Sequence, residues 1–156
     1  MAIARGAGTE IIRSHHFEDI TGGDASHTLI LGVQHHIYTV LSVIIHCDAH
    51  ASSGHYARLR ILGYDSQGGT TAQQHIIFRQ IIQLRETYVW NDKFSFNGYE
   101  PVSFTGPLST IEEQDAIADQ GNTGTFPTGS QELNLFTSDA GTNFDVTVTF
   151  IDQNNE

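Results

Sequence analysis

The run from Ile37 to Cys47, Ile-Tyr-Thr-Val-Leu-Ser-Val-Ile-Ile-His-Cys, has the β-branched and aromatic composition of a strand, yet it is apolar at odd and even positions alike. A strand sends alternate side chains to opposite faces of its sheet. Tyr38, Val40 and Ile44 are therefore expected on one face and Leu41, Val43 and Ile45 on the other. Both faces then need cover. In a chain of 156 residues one cover is the domain's own core, and the other is expected to be a second copy of the chain. Tyr38, Val40, Leu41, Val43 and Ile45 are accordingly candidates for burial, some within the domain and some at an oligomer interface.

The rest of the chain repeats the strand signal at short intervals, with turn residues between. Candidate strands cover residues 9–17, 28–33, 36–46, 56–64, 74–79, 83–90, 131–137 and 144–150. The last is the cleanest: Phe144, Val146, Val148 and Phe150 alternate with Asp145, Thr147 and Thr149, the pattern of a half-buried antiparallel strand. Residues 131–137 are expected to be its hairpin partner across Ser138-Asp-Ala-Gly-Thr. About eight strands in one compact domain predict an all-β, two-sheet antiparallel sandwich, with a jelly roll preferred over an immunoglobulin-like arrangement. The long connection, residues 91–129, is aromatic-rich, with Phe94, Phe96, Tyr99 and Phe104 following Trp90, and a short helix is expected from Ser109 or Thr110 onward. Residues 1–8 are expected to be a flexible N-terminal arm and 9–156 a single sandwich domain.

Charge narrows the partners. Eighteen Asp and Glu face seven Lys and Arg, a formal net charge of -11. Such a field repels phosphate backbones, so nucleic acid is not an expected partner. No segment has the length of a membrane span, and the N-terminus lacks the apolar core of a signal peptide, so synthesis in a cytoplasm is expected. The single cysteine, Cys47, ends an apolar run and reads as a small buried hydrophobe.

Nine histidines invite a metal hypothesis; their full protonation would bring the charge from -11 to -2. The best ligand set is His46, Asp48, His50 and His55, whose donors suit zinc, iron or manganese. A cupin-like barrel would normally place a His-x-His pair on a strand, and none occurs here, so no metal or other cofactor is expected. The glycine pairs lack the setting of a phosphate loop, and no serine sits in a Gly-x-Ser-x-Gly elbow. No enzymatic reaction is expected.

Four stretches carry a resemblance. They are Ala4-Arg-Gly-Ala-Gly-Thr-Glu-Ile-Ile-Arg13, Gly32-Val-Gln-His-His-Ile-Tyr-Thr-Val-Leu-Ser-Val43, Val89-Trp-Asn-Asp-Lys-Phe-Ser-Phe-Asn-Gly98 and Phe150-Ile-Asp-Gln-Asn-Asn-Glu156. With them the chain resembles small β-sandwich virion proteins of tailed bacteriophages, of the capsid decoration or cement type. The resemblance implies a homotrimer bridging the major capsid protein at the virion surface, without catalysis or cofactor. In that picture Trp90, Phe94 and Phe96 join the oligomer interface, and Arg5 and Arg13 contact the capsid. A tail-associated receptor- or carbohydrate-binding module is the alternative, with Trp90, Tyr99 and Tyr64 stacking on sugars. A cupin-like metalloprotein is the third.

Overall fold

The computed structural model describes residues 9–23, 25–33, 36–50, 54–65, 70–98 and 131–154. The expected N-terminal arm with Arg5, the short helix, Tyr99 and Phe104 lie outside them. Among the described residues nine strands form two antiparallel sheets: β1 (Glu10–Thr21), β2 (Ala25–Leu31), β3 (His36–Ala49), β4 (Ala57–Asp65), β5 (Thr70–Gln80), β6 (Thr87–Trp90), β7 (Phe94–Asn97), β8 (Glu132–Thr137) and β9 (Asn143–Asn154). One sheet runs β1-β9-β3-β6 with β7 also on β3; the other runs β2-β8-β4-β5.

β6 and β7 share one edge position. β6 pairs Val43–His46, β7 pairs Ile37–Val40, and Asn91-Asp92-Lys93 interrupts the edge between them. Eight strand positions therefore fill the sandwich. The first strand lies beside the last and the second beside the eighth, with β1 to β4 alternating between the sheets, which is the jelly-roll order. An immunoglobulin order would put the first two strands in one sheet, and here β1 and β2 lie in different ones.

Two sequence expectations change. β8 and β9 are not a hairpin: the turn at Ser138 to Thr142 carries the chain from one sheet to the other, and β9 inserts between β1 and β3. The doubly apolar run in β3 is also not a two-faced strand. Its register against β9 shifts between Val40 and Ser42, so Leu41 is an extra residue that resets the alternation. Tyr38 and Val40 before the bulge and Val43, Ile45 and Cys47 after it then all point inward.

These residues meet Phe144, Val146, Val148 and Phe150 of β9, Leu133 and Leu135 of β8, and Ala57 and Leu59 of β4 in a single core. The predicted alternation of β9 holds along its length. Close backbone approach ties the sheets together at one end. Gly32 N donates to Gln131 O (2.7 Å), Gln131 N to Gly98 O (3.1 Å) and Gly98 N to His36 O (2.9 Å). At the other end the turns after β1, β3, β5 and β8 gather.

Candidate functional site

The residues expected at an oligomer interface are mostly interior. Val40, Val43 and Ile45 are fully buried within the protomer, and Tyr38 and Phe96 nearly so. Their side chains have no surface to offer a second copy, which corrects the interface assignment made from the apolar run. Leu41, at the bulge, is half-buried. Phe94 and Trp90 are partly buried and pack against the core; the Trp90 ring lies 5.4 Å from Phe78, and its Nε1 donates to Asp92 O (2.9 Å). That inward packing removes much of the face a sugar would stack on. Arg13 is half-exposed, and its Nε donates to Asp152 at 2.8 Å, while the same carboxylate accepts from His36 Nδ1 at 2.6 Å.

The metal candidates divide between two places. His46 and Asp48 belong to the outer face of the β1-β9-β3 sheet, where His46 Nδ1 meets Thr87 Oγ1 at 2.9 Å. His50 and His55 stack with ring centroids 4.8 Å apart, close to Cys47. His55 is fully buried, and its Nε2 donates to Ile82 O. Among the described residues no group of three or more His, Cys, Asp or Glu is placed to hold a metal ion. Burial, with the charges of Asp48 and Glu86 behind it, pushes the Cys47 thiol up, so it stays protonated and unreactive.

Two outer surfaces stand out instead. On the β1-β9-β3 sheet the outward rows run Ile12-Ile151-Thr39-Ser95, Ser14-Thr149-Ser42 and His16-Thr147-Ile44-Val89. Hydroxyls bond across strands, Ser14 to Thr149 at 2.9 Å and Thr39 to Ser95 at 2.8 Å. Ile12, Ile37, Ile44 and Val89 are exposed there. Between Glu10 at one end and Glu18, Asp19, Asp145 and Asp48 at the gathered turns, the described outward residues of this field include no Asp, Glu, Lys or Arg. There Asp19, in the left-handed region at φ 55, donates its backbone N–H to Asp145 Oδ1 at 3.1 Å.

The opposite sheet carries the contrary charge. Arg58 and Arg60 of β4 and Arg79 of β5 share its outer face with Phe136 of β8, because period two puts Arg58 and Arg60 on one side and the register brings Arg79 opposite Arg58. The guanidinium carbons of Arg58 and Arg60 lie 4.5 and 5.1 Å from the Phe136 ring centroid, and that of Arg79 lies 3.8 Å from Tyr56. Arg60 donates to Asn134 Oδ1 at 2.9 Å and to Ser26 Oγ. Burial first, and the Arg58 charge second, lower its pKa from the ordinary arginine value. The nearby Glu132 carboxylate accepts from Thr28 Oγ1 (2.7 Å) and Asn134 Nδ2 (3.4 Å) and ion-pairs with none of the three arginines. Arg58 Nε is buried without a hydrogen-bond partner. The pair Arg58 and Arg60 was visible as alternation in the sequence; Phe136 and Arg79 reach them only through sheet order.

No family model matches the chain, and no curated protein matches it. Among solved structures it is similar to a mutant VP2 protein of infectious bursal disease virus from derived T=1 particles. The TM-score is 0.32 at 10% identity, over 99% of this chain and 38% of that one. A likeness at that level carries no argument.

Proposed function

We propose that this chain is a structural component of a phage particle, a trimeric decoration or cement protein that clamps the major capsid protein at the head surface, and that it carries out no reaction. The observation that carries the reading is the outer face of the β1-β9-β3 sheet. In a chain of net charge -11 its middle is a field chiefly of Ser, Thr, Ile and Val, with acids only at its two ends. Contact surfaces are distinguished by depletion of charge at their centre rather than by bulk hydrophobicity. Titratable and ring side chains that would build a catalytic site are instead tied into packing: His55 on Ile82, Trp90 on Phe78, Asp152 on Arg13 and His36. The four stretches that resemble phage decoration proteins favour a head location over a tail one.

The test is occupancy. Purified chain added to capsid shells lacking it should co-sediment and saturate near the copy number of the major capsid protein. Saturation at a few copies per particle, or binding to host cells in place of shells, would transfer the reading to a tail-associated receptor- or carbohydrate-binding module.

A further inference from the structure

The arginine face and the acidic strip lie toward the same end of the sandwich, on opposite flanks. β4 begins and β5 and β8 finish there, which places Arg58, Arg79 and Phe136 at that end of one sheet. β1 and β3 finish and β9 begins there too, which places Glu18, Asp19, Asp48 and Asp145 at that end of the other. We propose that this end faces the axis of the oligomer, and that the Arg58–Arg79 flank of each copy, with Arg60 buried behind it, docks on the Glu18–Asp19–Asp145 flank of the next copy of this chain.

This rests on the oligomeric reading above and assigns its contact. Three of the chain's seven basic residues stand on one sheet face, and among the described residues none of them has a carboxylate ion pair, in a protein with eighteen acids. Arginines over aromatic rings are the residues on which interfaces most often depend. They are pre-positioned: Arg60 is held by Asn134 and Ser26, and the Arg58 and Arg79 heads rest against Phe136 and Tyr56. Opposite flanks meeting at one end make a heterologous contact, and such a contact closes into a ring when its rotation allows.

The test is a charge-swap cycle on the full chain, read by sedimentation velocity across a concentration series, with circular dichroism confirming each fold. R58E/R79E and E18K/D145K should each weaken association by about tenfold or more. All four changes in one chain should restore it to within about threefold, because every contact is again complementary. Folded half-swap variants that keep the native oligomer would overturn the proposal, as would a full swap that fails to recover. Should R58E/R79E not fold, Arg79→Gln and the salt response of the unaltered chain decide it. Both should weaken the oligomer, and insensitivity of both would overturn the contact while leaving the oligomer itself standing. A native chain that is monomeric throughout overturns the oligomeric reading as well.

Discussion

Leu41 explains why the sequence around it misleads. Strict alternation through residues 37–47 splits Tyr38 and Val40 from Val43 and Ile45, whereas one inserted residue puts all four on the core side. A bulge leaves no mark in composition that distinguishes it from a strand buried on both faces, so of the interface residues named from that run Tyr38, Val40, Val43 and Ile45 are core residues and Leu41 is the half-buried bulge. Val43 and Ile44 now separate sharply. Val43→Asp places a charge in a site with no exposure and is expected to cost more than about 4 kcal/mol, enough to unfold a domain of this size. Ile44→Asp, on the outer face, should leave the urea midpoint within about 0.5 kcal/mol of native stability. Equal destabilisation by the two would contradict the assigned faces. Tyr38 supplies a second outcome. Burial, and then the Asp152 charge, raise its phenol from 10.0 to about 12. Its contribution to stability is therefore complete below pH 10 and is lost as pH rises from about 10 toward 12. Absorbance titration should find one tyrosine ionising late, with unfolding midpoints falling across that window.

At the scale of elements, local pattern located eight of the nine strands among the described residues, and β9 was legible residue by residue. What it missed depends on partners far away in the chain. β7 is only Phe94 to Asn97, a four-residue strand whose aromatics looked like packing in a connection. It exists because β3 offers Ile37–Val40 as an open edge. The hairpin expected between β8 and β9 failed because a short turn is as able to cross between sheets as to reverse within one. The closure of the sandwich at the β2, β7 and β8 ends depends on two glycines. A Cβ on Gly98 would stand 2.1 Å from Val33 O, and one on Gly32 would stand 2.0 Å from Gly98 O. Gly98→Ala should therefore lower stability by about 2–4 kcal/mol in urea denaturation, while Gly54→Ala, with nothing within 4 Å of the new methyl, should be neutral. A neutral Gly98→Ala would mean the sheets do not approach as described.

For the whole molecule, the net charge of -11 correctly flagged an acidic surface but concealed its layout. The basic residues are few, and three of them gather on one flank while acids gather on the other, a separation that sheet order creates and composition cannot express. The candidate metal set shows the same limit: His46 and Asp48 fall on an outer face and His50 and His55 against Cys47 at the turn end, although they are close in sequence. The proposal that the molecule contacts copies of itself and a particle rests on a sheet face whose middle is free of charge and on a polarised end. Native mass spectrometry of the full chain at neutral pH tests that claim most directly. A metal-free assembly of three chains of 17.2 kDa each, dissociating as salt rises, is expected. A salt-independent monomer carrying a stoichiometric transition metal would contradict it.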